Sequence, residues 1–172
     1  MVITRLNEIG FKIESRGLII LINPGKSKTK PDIVLYSEIQ KETGYTDSFV
    51  IGNPGEYEVK GVFIQGLSLN NESSSFLMNV EEINVFYLPR FDKNLSSDTL
   101  EEIGQVDILL TDAANVKNIR EIEPRLVIPI NYKKIDEFLK ESGLSKKEPQ
   151  DKLAIKKKDL AEKGTEAVIL KN

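Results

Sequence analysis

The sequence predicts an α/β protein built as a layered sandwich. Short apolar runs bounded by turn residues, such as Ile33–Leu35 and Val106–Leu110, predict buried strands. Other segments, such as Ile135–Glu141, carry apolar residues on one side only, which predicts helices that cover a sheet. Because an element with one apolar face must bury it against another, alternating strands and one-sided helices favour packed layers.

Strands are expected wherever the sequence is apolar or alternating. Their predicted ranges are 2–11, 12–22, 33–35, 56–61, 62–69, 76–80, 83–88, 106–110 and 123–132. Turn chemistry supports several of these boundaries. Ser15–Gly17 is a hairpin signal, Asn53–Gly55 is a turn that leads into an alternating strand, and Gln65-Gly66 predicts a bend. A strand pair is expected around Glu81-Glu82.

Three helices are predicted, at Ser96–Ile103, Thr111–Glu123 and Ile135–Glu141. The first has a serine that can cap its amino end, acidic residues in its early turns and Gly104 at its carboxyl end. The polar segment 37–43 is also compatible with a helix. No pattern in the sequence determines the order of the strands.

Composition limits the possible functions. The 172 residues are expected to form a single domain, 1–172, with a net charge of −3 that does not suggest a general polyanion binder. No apolar stretch is long enough to span a bilayer and the start lacks the form of a signal peptide, so we expect a cytoplasmic protein without a membrane partner. The absence of cysteine excludes disulfides and thiolate chemistry.

Two neighbouring segments carry a family resemblance. The strand Asp32–Leu35 and the run PGEYEVKG at Pro54–Gly61 resemble the metallo-β-lactamase superfamily, in particular its lactonase-like branch of small zinc-dependent hydrolases. The similarity extends over nearly the whole chain and is weaker outside these two segments. In the tail it implies strands at 153–155 and 167–170. It implies a four-layered αββα sandwich, here in a compact, trimmed form, and a metal-dependent hydrolase ancestry.

The residues that such hydrolases use to bind metal are missing, because the sequence contains no histidine. The family's His-x-His-x-Asp-His loop corresponds to Ser37, Ile39, Lys41 and Glu42. Elsewhere Glu8 stands at a His, Arg90 at the bridging Asp, and Lys93 and Asn131 at further His positions. These eight degenerate ligand positions are Glu8, Ser37, Ile39, Lys41, Glu42, Arg90, Lys93 and Asn131.

These substitutions predict no zinc site, no other cofactor and no catalytic residue. Carboxylate and amide oxygens suit magnesium or calcium rather than zinc, and Lys41 and Arg90 would repel any divalent cation placed between them. Six of these positions are expected to meet at the strand ends as a plug of ion pairs or hydrogen bonds: Glu8, Lys41, Glu42, Arg90, Lys93 and Asn131. The expected function is a binding or assembly scaffold, whose partner is another copy of the chain or an active homologous subunit.

Two alternatives stay open from sequence. A divergent hydrolase could hold one hard cation with oxygen ligands from Glu8, Glu38, Glu42, Asp92 and Asp112. A nucleic-acid-associated module could use the basic run Lys156–Lys158 with Lys152 and Lys163. Acidic residues interleave with these lysines, so a solvated turn is the favoured interpretation and nucleic acid is not an expected partner.

Overall fold

The computed structural model describes residues 1–38, 40, 44–69, 73–89, 91, 93–130, 135–145, 147–162 and 164–171. Numbered in chain order, the strands are β1 (Val2–Arg5), β2 (Phe11–Ser15), β3 (Leu18–Ile22), β4 (Ile33–Leu35), β5 (Phe49–Ile51), β6 (Gly55–Val59), β7 (Val62–Ser68), β8 (Ser74–Val80), β9 (Ile83–Leu88), β10 (Ile108–Thr111), β11 (Leu126–Pro129), β12 (Leu153–Ala154) and β13 (Glu166–Ala167). The helices are α1 (Ser97–Ile103), α2 (Val116–Ile122) and α3 (Ile135–Ser142).

These strands form two sheets. The first has the order β12-β1-β2-β3-β4-β5, and the second has the order β13-β11-β10-β9-β8-β7-β6. Within the first sheet β3, β4 and β5 run parallel, and within the second β9, β10, β11 and β13 run parallel. The carboxyl ends of the parallel strands in each sheet therefore lie along one edge, where functional groups of such folds gather.

The main apolar core lies between the two sheets. Fully buried side chains from both sheets meet there, including Phe11, Ile22, Phe76 and Tyr87. A second core lies on the outer face of the second sheet, where α1, α2 and α3 place residues such as Ile119 and Phe138 against the strands. This arrangement confirms the predicted sandwich of sheets and helices.

The outer face of the first sheet is covered differently. Leu21, Val34 and Tyr36 form a small cluster there with Leu6, Ile19 and Tyr45. None of the helices in the described part of the chain packs on this face. Segment 37–43, which the sequence left compatible with a helix, lies largely outside the described residues.

Several local predictions are confirmed. The Ser15–Gly17 hairpin pairs Ser15 with Leu18, and its two loop residues adopt left-handed φ angles of 48° and 85°, as a two-residue hairpin loop requires. Helix α1 begins after Ser96, whose side chain accepts from the Thr99 amide, and ends at Gly104. The strand pair β8–β9 turns at Glu81-Glu82.

Several element boundaries were predicted wrongly, and β5 was not predicted. The helix expected from Thr111 begins only at Val116, because Thr111 belongs to β10. The range 2–11 is not one strand, because β1 ends at Arg5 and residues 6–10 form a tight loop closed by a Leu6 N–H bond of 2.8 Å to the Gly10 carbonyl. A Cβ on Gly10 would lie 2.4 Å from the Asn23 carbonyl, so only glycine fits there. The strand expected at 56–61 ends at Val59, because Lys60 and Gly61 form a second left-handed hairpin loop.

The predicted bend at Gln65-Gly66 is likewise absent, since β7 continues through it to Ser68. None of the described helices is long and apolar enough to cross a membrane.

Candidate functional site

The residues that follow β3, β4, β9, β10 and β11 meet at one end of the sandwich, which we call the cleft end. Asn23 follows β3 and takes a left-handed φ of 43°, a conformation that asparagine tolerates better than most residues. Ser37 lies two residues beyond β4, and Tyr87 is in β9. All three side chains are buried. The two sheets are therefore joined here by polar groups shielded from water.

Asn23 organises this cluster. Its Oδ1 accepts from the Ser37 amide at 3.0 Å, which fixes the orientation of the side-chain amide. Its Nδ2 then donates to the Ser37 Oγ at 2.9 Å and to the Tyr87 Oη at 2.8 Å. The Tyr87 hydroxyl in turn donates to the Ile9 carbonyl at 3.1 Å. Each buried polar group is thus satisfied by a neighbour, as burial requires.

The Tyr87 phenol stays neutral in this setting. Burial raises the pKa of Tyr87 to about 12, although the hydrogen bonds with Asn23 and Ser37 act in the opposite direction. A phenol with this pKa is not a base or a metal-binding phenolate near neutral pH. Tyr87 therefore serves as a hydrogen-bonding strut between the sheets.

Arg5 joins a second pair of segments at the cleft end. Its side chain is buried and donates to four backbone carbonyls: Asn7 at 2.9 Å, Glu8 at 2.7 Å, Pro129 at 3.3 Å and Ile130 at 2.6 Å. The first two belong to the loop after β1 and the other two to the end of β11. A guanidinium can make several such bonds at once because its donors are fixed in a planar fork.

Two buried asparagines fasten the segment after β9. Asn115 donates to the Pro89 carbonyl at 3.1 Å and accepts from the Phe91 amide at 3.3 Å. Asn118 donates to the Lys93 carbonyl at 3.0 Å and accepts from the Leu95 amide at 3.1 Å. The segment after β9, which includes the degenerate position Lys93, is therefore held by neutral amides at the start of α2.

The structure describes three of the eight degenerate ligand positions. Ser37 lies inside the buried cluster, whereas Glu8 and Lys93 have exposed side chains and contribute only carbonyls, to Arg5 and Asn118 respectively. Ile39, Lys41, Glu42, Arg90 and Asn131 lie outside the described residues. Of the six residues expected to form a plug, only Glu8 and Lys93 are described, so their convergence stays a prediction.

The oxygen ligands proposed for a hard cation can be followed in the same way. Glu38 is exposed, and the Oδ1 of Asp112 accepts from the Ala114 amide at 2.8 Å in a local turn. Glu42 and Asp92 lie outside the described residues. Over the part of the chain that the structure describes, no three or more His, Cys, Asp or Glu side chains are grouped so as to hold a metal ion.

A zinc ion of the kind that the family uses does not fit the donors described at this end. Zinc prefers imidazole and thiolate ligands, and the sequence contains neither. The oxygen of Asn23 is already engaged by the Ser37 amide, and its NH₂ group points toward the Ser37 and Tyr87 hydroxyls. A cation at this point would face donors rather than lone pairs.

A cavity of about 250 Å³ opens beside the cluster. It lies between the loop after β1 and the residues that follow β3 and β4. Its lining residues are Asn7, Ile9, Asn23, Gly25, Tyr36, Ser37, Glu38 and Gln40. Among these described lining residues, Glu38 alone carries a charge.

The opposite end of the sandwich, which we call the base end, uses carboxylates. Asp107 is fully buried, accepts from the Asn84 amide at 2.8 Å and pairs with Lys157 at 2.6 Å and with Arg125 at 3.6 Å. Glu81 accepts from the amino terminus at 3.2 Å and from the Ser15 hydroxyl at 2.5 Å. Asp32 pairs with Lys60 and accepts from the Ile19 amide.

The base end also accounts for part of the basic run. Lys157 is committed to Asp107, and the Lys156 amide donates to Asp159 in the turn that follows. Lys163 lies outside the described residues. The turn with interleaved acidic groups is the favoured interpretation of the sequence, and these contacts agree with it.

Sequence reasoning missed most of the residues that hold the cleft end. It did not identify Arg5, Asn23, Tyr87, Asn115 or Asn118 as site residues. One signal was available for Arg5: it shares the inward-facing parity of Ile3 in an alternating strand. A charged residue at an inward position predicts a buried partner.

Comparison with known proteins agrees with this geometry. A family model described as "Beta-lactamase superfamily domain" matches residues 2–131. No curated protein matches the sequence significantly. The chain resembles the crystal structure of a proposed zinc-dependent hydrolase of the metallo-β-lactamase superfamily from Thermotoga maritima, with a TM-score of 0.82, 23% identity and 99% of each chain covered.

Two further structures share the fold at lower identity. The metallo-β-lactamase fold protein YhfI from Bacillus subtilis matches with a TM-score of 0.64 and 8% identity, over 99% of this chain and 96% of that one. A proposed metal-dependent hydrolase from Parabacteroides distasonis matches with a TM-score of 0.62 and 11% identity, over 97% and 91%. The fold and the cleft end define a hydrolase-like sandwich of the metallo-β-lactamase type. The chain belongs to the β-lactamase superfamily.

Proposed function

We propose that this domain is a non-catalytic, cytoplasmic binding or assembly scaffold that descends from a metal-dependent hydrolase. The observation that carries the proposal is the cluster of Asn23, Ser37 and Tyr87. Their amide and hydroxyl groups satisfy one another where the family resemblance places a loop of metal ligands. Hydrolases of this type need a metal to generate a nucleophile at neutral pH and to stabilise the developing negative charge.

The described residues of the cleft end offer no other way to activate a nucleophile. Tyr87 has a pKa of about 12, so it stays protonated and is a poor base. The sequence has no histidine to activate Ser37, and the Ser37 hydroxyl accepts from Asn23 rather than facing a base. The cleft end therefore supports a rigid joint between the sheets better than it supports catalysis.

The partner proposed for such a scaffold is a second copy of the chain or an active homologous subunit. Loss of catalysis leaves a stable fold whose surfaces are free to serve association. A divergent hydrolase with oxygen ligands is less well supported, because Glu38 is exposed and Asp112 is engaged in its own turn.

Metal content and hydrolysis test the proposal together. The protein should be expressed in medium supplemented with zinc and manganese, and its metal content measured by mass spectrometry after gel filtration. We expect far less than one equivalent per chain and no hydrolysis of lactone or phosphodiester substrates, with or without added zinc, manganese or magnesium. One bound equivalent together with hydrolysis that a chelator abolishes would overturn the proposal.

A further inference from the structure

We propose that the free edge of β6 binds an extended segment of a partner protein in which Lys or Arg alternates with apolar residues. This inference gives a partner chemistry to the proposed scaffold, and in that respect it rests on the proposed function. Its test is separate, however. Peptide binding at β6 could fail while the domain remains metal-free and inactive. Conversely, the peptide could bind to a domain that holds a metal and hydrolyses a substrate.

The hydrogen bonding of β6 leaves one of its sides open. β6 is the last strand of the second sheet, and over the described residues no strand pairs with its other side. Val59 and Val62 flank the two-residue loop, so their pair and the Tyr57–Ile64 pair exchange hydrogen bonds. The backbone groups of Glu56 and Glu58 therefore point away from β7 and can accept another strand.

The side chains of β6 dictate what that strand should carry. Residues directly opposite one another on neighbouring strands lie on the same face of the sheet. A residue opposite Glu56 or Glu58 would place its side chain beside a glutamate, and the residue between them would lie beside Tyr57. Glu56 and Glu58 are exposed, and Tyr57 is half-buried against the core. Basic–apolar–basic is the complementary pattern.

Two exposed aromatic rings flank this edge. Phe63 lies on β7 directly opposite Glu58 and is 43% exposed, so a basic side chain paired with Glu58 would also reach its ring. Phe49 lies on β5, is 48% exposed and packs edge-on against Tyr57 with 6.3 Å between ring centroids. These rings offer apolar area to the alternate residues of the partner.

The same charges disfavour a symmetric pairing of β6 with β6 of a second copy. Antiparallel pairing of the two strands about Tyr57 would place Glu56 opposite Glu58 at both ends. Like charges directly opposite one another destabilise a strand pair. The two glutamates thus repel an identical strand and attract a basic one. Charged side chains on an edge strand can in this way select one partner over another.

A labelled nine-residue peptide of alternating lysine and valine tests this at low salt by fluorescence anisotropy. We expect saturable binding that falls with ionic strength. The double variant E56K/E58K should weaken binding at least about tenfold, since two attractive pairs become repulsive. The matched control E137K/E141K makes the same charge change on the exposed face of α3 and should bind like the original protein.

Two further peptides separate strand pairing from simple charge attraction. A peptide of the same composition with its lysines contiguous, and one with a central proline, should both bind at least about tenfold more weakly. Equal binding of all three peptides, an equal loss in E137K/E141K, or no binding of the alternating peptide would each overturn the proposal. So would a dimer, measured by light scattering, that dissociates in E56K/E58K, because a second copy would then occupy the edge.

Discussion

The cleft end and the base end of the sandwich join the same two sheets with different chemistry. At the cleft end the connecting groups are neutral amides and hydroxyls, together with the guanidinium of Arg5. At the base end they are the carboxylates of Asp32, Glu81 and Asp107, each paired with a cation. A buried carboxylate without a cation is costly, whereas a neutral amide can be satisfied by a hydroxyl.

This contrast bears on the proposal that the domain folds without a metal. The aspartate ligands of such a site would be costly without a cation, because a buried negative charge would then be uncompensated. Asn23 and Ser37 at the cleft end avoid this cost, since neither carries charge. At the base end the carboxylates are tolerated because their cations come from the chain itself, such as Lys157 and Arg125 for Asp107.

The largest effect is expected from Arg5→Met. The substitution keeps an unbranched side chain of similar length but removes the donors to four carbonyls, three of them at 2.9 Å or less. We expect a loss of about 3 kcal/mol in the free energy of unfolding, because buried acceptors lose charged partners. Urea unfolding followed by circular dichroism measures this loss.

Arg120→Met is the matched control for that substitution. Arg120 is exposed and donates to a single carbonyl, that of Glu141, at 2.6 Å. Its replacement should change the free energy of unfolding by no more than about 0.5 kcal/mol. Similar small losses in both variants would show that Arg5 does not hold the cleft end together.

A smaller effect is expected from Tyr87→Phe. The variant keeps the ring in the core but leaves the Asn23 Nδ2 and the Ile9 carbonyl without the hydroxyl. We expect a loss of about 1–2 kcal/mol in the free energy of unfolding. Tyr57→Phe removes an exposed hydroxyl that donates to the Asn53 carbonyl at 3.1 Å, and should cost less. A larger loss in the Tyr57 variant would contradict the assigned role of Tyr87.

The smallest effect, and the one that separates the two ends most clearly, concerns pH. The hydrogen bond from Ser15 and the charge of the amino terminus lower the pKa of Glu81, and the hydrogen bond from Lys60 lowers the pKa of Asp32. Carboxyls with lowered folded-state pKa values contribute stability above their ordinary values of 4.5 and 3.8. That contribution disappears as the pH falls through the folded-state values.

Glu81→Gln should therefore lower the free energy of unfolding at pH 7 and make it less sensitive to acid below about pH 4.5. The loss caused by Tyr87→Phe should be the same at pH 7 and pH 4, because the raised pKa of Tyr87 matters only above its ordinary value of 10. Chemical unfolding across this range measures both. If the loss of unfolding free energy in Tyr87→Phe disappeared at pH 4, the cleft end would depend on pH as the base end does, and the distinction between them would be wrong.

Local signals in the sequence predicted much of the fold. The hairpin at Ser15–Gly17 was predicted correctly because the loop residues themselves favour the left-handed conformation. The ends of α1 were also predicted from local residues, because Ser96 caps its start and Gly104 its end. The turn at Lys60-Gly61 was missed because the alternation of the preceding strand continues through it. The loop at residues 6–10 was missed because the close approach of Gly10 to the Asn23 carbonyl is a contact between residues distant in sequence.

The candidate site was less predictable because its contacts are distant in sequence. The family resemblance identified the positions at which metal ligands are replaced, and Ser37 is one of them. It could not show that Arg5 reaches the carbonyls of Pro129 and Ile130, more than 120 residues away, since strand order decides that contact. Asn115 and Asn118 are ordinary helix-start residues until the segment after β9 is placed beside them.

The central claim is that neutral groups and one guanidinium have replaced a metal in holding the cleft end together. The most direct test compares the thermal unfolding midpoint under three conditions: with a strong chelator, with excess zinc, and with neither. Because metal bound to a native site would stabilise the fold, a metal-dependent domain would show three different midpoints. We predict one coincident midpoint under all three conditions. A large drop with chelator, reversed by zinc, would contradict the claim.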